Sequence, residues 1–508
     1  VSEQVIQTSN RAIPALLVFL QAMVSASSLV VEIVAGRMLA PYVGMSLYTW
    51  TSVIAVVLAG FSAGHWWGGR IAEKQMRPAL VHTAWLLLAA ALTTSVALLV
   101  LRTISGPILN ASDDYLVAIT LLSAGAFFLP SLFAGVPAPV LAQIAVTIAG
   151  EKSGRALGAM FAAGALGAIG GTLLAGFLFI PWLGTALTLA IVCVSYVAVA
   201  ATLFLLAGSS LRSLPPMALA VIALGLGFYS AGRLSPCTKE SNYYCIRVID
   251  VSADREKPVR RMVLDHLSHG TSSRDFPQIM FSEFTAMLDG IARNRMEGGG
   301  FSSFFIGGGT FSVPRAWINR ETGPITVAEI DPDVTQIAIS DFWLDPTGLR
   351  ILHEDARRAL LMRPEEKYDI VIGDAFGDIA VPSHLITSEF FQLVRSRLAP
   401  DGVYLMNVVD FPGQLNALSA IYATLRSVFP SVEIWTRAAP PIPDEQTVFV
   451  LVAADQPSGI STLETLAPDP TRFAAFADSF YDDVLDFRSA RILTDDYAPI
   501  DRLLRQIH

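Results

Sequence analysis

The sequence predicts two architectures in series, an N-terminal all-α transmembrane bundle and a C-terminal α/β domain. Composition is the first ground. Of 508 residues, 53% are hydrophobic and only 16% charged, and the mean hydropathy is +0.52, whereas soluble domains carry about 25% charged residues. The second ground is the placement of charge. Residues up to Leu234 hold 10 basic and 6 acidic side chains, and the remainder holds 25 and 38, a net −13. The third is a change of pattern at the same place, from long apolar runs to short β-rich runs alternating with helical stretches. Length allows about three domains; the expected divisions are 1–234 (transmembrane helices), 235–290 (a small β or linker piece) and 291–508 (the α/β domain). An acidic balance excludes a basic nucleic-acid binder. Three cysteines exclude a disulfide-rich scaffold, and the apolar content excludes a wholly disordered chain.

A bilayer core about 30 Å thick needs roughly 20 mostly apolar residues per spanning helix. Such runs occur at 13–31, 47–67, 79–101, 115–133, 156–180, 185–207 and 214–231, so seven spans are expected, with the lipid bilayer as partner. The first run leads into Glu32 and Arg37 rather than a small-residue cleavage site, which reads as a span and not a cleaved signal. The uncharged stretch 115–150 is interrupted by Pro130, Pro137 and Pro139. It is either one span with a re-entrant piece or two spans, making eight. With seven, Arg11, Arg70, Lys74, Arg77, Lys152, Arg155 and Arg212 share one side against Arg37 and Arg102, which puts the second half outside. An eighth span removes the bias and brings the second half back inside. Gly60, Gly64 and Gly68, and Gly167 with Gly171, form small-xxx-small faces that allow close helix approach, within the bundle or between two copies in a dimer. Glu32, His65 and His82 are ionisable residues near span ends; Glu32 reads as an interfacial group or as a cation or proton site.

Beyond Arg233, runs at 242–251 and 259–266 read as a hairpin. Strands follow at 301–306, 325–330, 350–353, 368–372, 403–409, 432–435 and 447–453, with helices at 334–340, 388–398 and 415–428 between them. Apolar strands alternating with helices predict a mostly parallel sheet covered on both faces, whose ligand site lies at the carboxyl ends of the strands. The first of these strands ends in Gly307-Gly308-Gly309-Thr310, the second in Glu329-Ile330-Asp331, the third in Glu354-Asp355 and the fourth in Asp374-Ala375-Phe376. Glycines let the backbone approach a ligand, and an acidic residue about 20 positions on accepts bonds from ribose hydroxyls. Glu354-Asp355 is placed to meet an adenine amino group. Three acidic strand ends with a glycine turn point to a nucleoside pocket suited to an adenosyl sulfur compound rather than NAD; acidic helix caps are the plainer alternative.

These segments, together with Glu240-Ser241-Asn242-Tyr243, Leu264-Asp265-His266, Ala356 after Asp355, Tyr368–Asp374, Leu385–Phe391 and Leu493–Pro499, resemble the spermidine synthase family. That family has a methyltransferase-like (Rossmann-like) α/β domain preceded by a small β domain. With Glu32–Arg37 and Leu39–Tyr42, the whole chain is similar to bacterial inner-membrane proteins that fuse a multi-span domain to a spermidine synthase-like domain. The resemblance implies transfer of an aminopropyl group from decarboxylated S-adenosylmethionine to a putrescine-like polyamine, releasing methylthioadenosine, with no metal. It implies Asp374 as the base, Glu329 on ribose and Asp355 facing adenine. Donor and substrate contacts would come from Tyr243, Asp265, His269, Gly307, Gly308, Gly309, Thr310, Asp331, Glu354, Ala356 and Asp378.

Four positions depart from the family pattern. Thr310 stands where an Asp usually contacts the donor's propylamine, and Gly377 where a second active-site Asp falls, with Asp378 one place later. Tyr244 replaces a Gln, and Gln278 a Tyr. The amine-recognising half is thus altered while the nucleoside half is kept. This leaves two further expectations: a non-catalytic sensor or transporter of polyamine or adenosyl ligand, or a methyltransferase using S-adenosylmethionine, whose carboxylate Thr310 would not repel. Cys237 and Cys245 are ordinary thiols if the second half is cytosolic and can pair if it is external; Cys193 lies mid-span.

Overall fold

The computed structural model describes residues 2–112, 114–208, 214–296, 299–377, 381–440, 442–477 and 490–504. It divides into two compact units, Val1–Cys245 and Ile246–His508.

The first unit is helical. It comprises α1 (Ser2–Val43), α2 (Leu47–Ala72), α3 (Met76–Ala111), α4 (Tyr115–Ser123), α5 (Leu129–Gly135), α6 (Pro137–Ala149), α7 (Ser153–Leu174), α8 (Ile180–Leu206) and α9 (Leu214–Arg233). Five helical segments among the described residues are long and apolar enough to cross a membrane: Ile13–Val43, Leu47–Ala72, Met76–Ala111, Tyr115–Leu206 and Leu214–Arg233. This corrects the expected seven or eight. Three of the expected runs fall in one helical stretch of 92 residues, because the backbone between them stays helical through Val136, takes a tight 3-10 turn at Gly150–Lys152, and is interrupted at Gly184 by a single residue. The stretch is not straight. Gly150 takes φ +55° and Gly184 φ +75°, and the chain folds back so that α6 packs on α7.

The small-residue faces are used inside the chain. A Cβ on Gly64 would lie 2.2 Å from the Leu132 carbonyl oxygen, and one on Gly167 equally close to that of Ala22. No side chain larger than hydrogen fits between these backbones. After α9, Cys237 and Cys245 are joined in a disulfide. Within the loop they close, Glu240 accepts hydrogen bonds from the Thr185 backbone N–H (3.0 Å) and hydroxyl (3.1 Å), capping the helix where it resumes after Gly184. Arg37 donates to the carbonyls of Ser241 (2.7 Å) and Tyr243.

The second unit opens with an antiparallel meander, β2 (Cys245–Asp250), β3 (Val259–Leu264) and β4 (Leu267–Ser273); β1 is the two-residue strand Lys239–Glu240 of the first unit. The expected hairpin therefore gains a third strand. Next come α10 (Glu283–Arg295), β5 (Ser303–Ile306), α11 (Ser312–Asn319), β6 (Ile325–Ala328), α12 (Pro332–Asp341), β7 (Leu349–Leu352), α13 (Ala356–Leu361), β8 (Tyr368–Gly373), α14 (Ser388–Arg397), β9 (Leu398–Asp410), α15 (Asn416–Arg426), β10 (Ser431–Arg437), β11 (Thr447–Ala454), β12 (Thr462–Thr465) and β13 (Thr471–Ala475).

The sheet order is β12-β13-β10-β11-β9-β8-β5-β6-β7. Strands β7, β6, β5, β8 and β9 are parallel, and β11 runs against both its neighbours. Helices cover both faces, so the central strands are apolar on both sides. Phe304, Ile306, Val371, Tyr404 and Met406 enter one core with α14 and α15. Phe305, Ile370, Ile372, Val403 and Leu405 enter the other with Trp317. Strand order reverses between β5 and β8, each starting a run outward, which opens a crevice at their carboxyl ends.

Candidate active site

The crevice is built first by glycine. β5 ends at Ile306, and the chain turns through Gly307 at φ +95° and Gly309 at φ +51°. A Cβ on Gly307 would lie 2.4 Å from the Asp374 carbonyl oxygen. The Asp374 N–H donates to the Ile306 carbonyl at 2.9 Å, so the glycine turn and the end of β8 are in direct contact. Gly307→Ala adds both a clash and a left-handed conformation unfavourable to L-residues. It is expected to cost about 2 kcal/mol or more, seen as faster hydrogen exchange in β5 and β8.

Glu329, directly after β6, reaches back across the turn. Its Oε2 accepts the Gly308 N–H at 2.8 Å and its Oε1 the Asp331 N–H at 2.9 Å. The side chain is buried, and burial pushes its carboxyl up to about 7 against the opposing pull of the Asp331, Gly308 and Gly309 N–H groups. Both oxygens organise backbone, and lone-pair capacity remains on the carboxyl for a ligand hydroxyl.

Asp374 is half-buried at the end of β8. Register pairs Gly373 with Met406, so the next residue along meets Asn407, whose Nδ2 donates to Asp374 Oδ1 at 2.9 Å. Burial pushes the Asp374 carboxyl up to about 6, and the amide bond pulls it back. A carboxylate poised there can accept a proton near neutral pH.

The remaining expected residues divide by what already holds them. Asp331 is buried and caps α12, accepting the Asp333 N–H at 2.9 Å. Glu354 pairs with Arg363 at 2.7 Å and Arg358 at 3.6 Å. Asp355 caps α13 through the Arg358 N–H at 2.9 Å, and its other oxygen lies 2.8 Å from His384 Nε2. Ala356 is buried at the start of α13. The β4 strand closes one side, since a Cβ on Gly309 would meet the His269 carbonyl at 2.8 Å. The His269 imidazole is driven toward its neutral form by burial. Thr310 is buried, with its hydroxyl 2.6 Å from that of Ser312, which in turn lies 2.9 Å from Ser272. Asp265 sits buried in the β3–β4 turn at φ +53°. Tyr243 belongs to the first unit and is 42% exposed. Asp378 lies outside the described residues.

The structure thus brings together Gly307–Thr310, His269, Glu329 and Asp374, and parallel register puts Glu354 and Asp355 on the same sheet edge, after β7. Sequence reasoning missed three contributors. Asn407 was signalled only as one polar residue inside the apolar strand Val403–Val409. His384 and Arg357 gave no local signal. Arg357 forms a two-pronged bond to Asp495, at 2.7 and 2.5 Å, and Thr387 also donates to Asp495 at 2.7 Å. These bonds tie the α13 segment to the chain before α14.

Residues 305–459 match the family described as "Spermine/spermidine synthase domain". A probable polyamine aminopropyl transferase from Bifidobacterium longum is 35% identical over 108 residues, 21% of this chain and 23% of the relative. A polyamine aminopropyltransferase from Vibrio vulnificus is 27% identical over 208 residues, 39% of this chain and 67% of the relative. The chain therefore spans less than a quarter of the first relative's length and about two thirds of the second's. Among solved structures, a probable spermidine synthase from Corynebacterium glutamicum aligns at TM-score 0.43 and 18% identity, over 50% of this chain and 94% of that one. The C-terminal part carries a spermidine synthase domain with polyamine aminopropyltransferase relatives.

Proposed function

We propose that the chain is a membrane-bound aminopropyltransferase, taking decarboxylated S-adenosylmethionine as donor and a putrescine-like amine as acceptor. The apolar helical segments would hold it in a bilayer. The observation that carries the reading is Asp374: a half-buried carboxyl raised to about 6, steered by Asn407 and set against the glycine turn.

The chemistry is a displacement at carbon. The acceptor nitrogen forms a bond to the propyl carbon next to the sulfonium, the C–S bond breaks, and its electron pair stays on sulfur as neutral methylthioadenosine. The nitrogen must shed a proton, and Asp374 is the group placed to take it. Glu329 would bind ribose hydroxyls, Asp355 would face the adenine, and the glycine backbone would lie against the nucleoside. Holding donor and acceptor in line supplies much of the remaining acceleration.

The test is the full chain in detergent with decarboxylated S-adenosylmethionine and putrescine. One methylthioadenosine should appear for each aminopropylated amine. Nucleoside binding without methylthioadenosine release across a panel of di- and triamines overturns the reading.

Two observations favour a second reading, a non-catalytic binding protein. The Cys237–Cys245 disulfide belongs to an oxidising compartment. Residue 310 is a threonine, its hydroxyl 2.6 Å from that of Ser312, so this position offers no carboxylate to an ammonium. An impermeant thiol reagent applied to intact cells separates the two. Labelling of both cysteines only after reductant supports an external, binding role, and protection from outside supports an enzyme supplied from within.

A further inference from the structure

We propose that Asn407 is a positioning residue for Asp374, fixing one carboxylate oxygen through its amide and leaving the other as the proton acceptor. The inference rests on Asp374 acting as the base. Parallel pairing of β8 with β9 delivers Asn407 beside it, and the 2.9 Å bond is to Oδ1. No other hydrogen bond to the Asp374 carboxylate occurs among the described residues.

Asn407 is itself 3% exposed, and its Oδ1 is buried with no hydrogen-bond partner. A fully apolar strand would avoid that orphaned acceptor. An amide there makes sense as a partner for a group that changes protonation state. With Asp374 ionised, Nδ2 donates to the carboxylate. With Asp374 protonated, a half-turn of the amide presents Oδ1 to accept the acid proton. One residue can thus hold the base before and after it takes the proton.

Among the described residues, the titratable groups on elements packed around Asp374 are few. Glu329 lies against Gly308, His269 lies behind Gly309, and the Tyr404 hydroxyl lies against Gly373. None supplies a cation, since His269 is driven toward neutrality. The Asn407 amide is therefore the local group that favours the ionised base.

The test uses full-length Asn407→Leu and Asn407→Ser, with kcat and KM followed against pH. Removing the amide should move the acid limb of the profile up by about one pH unit. The loss is then about tenfold at pH 5 and disappears by pH 9, with the donor's KM unchanged. Asn407→Ser, which keeps a donor, should shift it less, and its smaller volume change keeps the test open if the leucine variant does not fold. A loss uniform across pH, or an unmoved limb, overturns the proposal. Carbon-13 NMR of the labelled Asp374 carboxyl reads the same shift without turnover. If the wild-type chain releases no methylthioadenosine, the enzyme reading fails, and this titration alone decides the role of Asn407: an upward move supports it and no move overturns it.

Discussion

Asp374→Asn is expected to lower aminopropyl transfer by about 10³-fold, within the range a positioned general base contributes, while methylthioadenosine binds within about threefold of wild type. The substitution is close to isosteric, and the new carbonyl oxygen can still accept from Asn407 Nδ2, the contact now made by Oδ1 at 2.9 Å. The ability to take a proton is lost and the architecture is kept. Glu329→Gln should show the opposite split. Glu329 accepts one backbone N–H on each oxygen, from Gly308 and from Asp331, and a glutamine would confront one of them with its own NH2. Nucleoside binding should weaken there before kcat falls. Steady-state kinetics with calorimetry on the full chain separates the two. Retention of more than about a tenth of wild-type kcat by Asp374→Asn removes Asp374 from the role of base.

The contrast between these two carboxylates bears on what a sequence can show. The glycine turn, the acidic strand ends and the division between an apolar and an acidic half were legible because each is a local pattern: strand, turn, helix start. What each acidic residue does was not. Asp331 and Asp355 cap helices, and Glu354 is held by Arg363 and Arg358. These partners are recognisable only once helix starts and side-chain reach are known. The Asn407 contact spans 33 positions and depends on strand register. The His384 contact to Asp355 spans 29. In the helical unit, hydropathy marked where the chain is apolar, but breaks in a helix are backbone events. Gly184 turns the chain at φ +75° within an uninterrupted apolar run. Pro130 and Pro137 lie where the backbone stays helical on both sides, Pro130 directly after the π-turn Ala124–Phe128, so a proline there did not mark an end of the helical stretch.

Stability should run against activity as pH changes. Both Asp374 and Glu329 have carboxyls raised above their ordinary values, to about 6 and about 7, with burial the largest cause in each. The folded chain then keeps protons that the unfolded chain releases. Stability from these groups is fully present below about pH 4 and is lost as pH rises through 6 and 7. For Asp374 the shift corresponds to an upper bound of about 3 kcal/mol, and partial exposure reduces it to roughly 1–3 kcal/mol. Asp374→Asn should therefore leave stability unchanged near pH 4 and raise it near pH 8, the pH where the variant is catalytically dead. Glu329→Gln should gain less or lose, because an orphaned backbone N–H offsets the relief of burying a charge. Hydrogen exchange in β5, β8 and β9 of the full chain, read at pH 5 and pH 8, measures this in the second unit without interference from the helical one. Slower exchange in Asp374→Asn at pH 8 is the expected outcome. Equal or faster exchange would mean that the wild-type carboxylate is stabilised when ionised, and that a site strained toward proton uptake is the wrong description of this crevice.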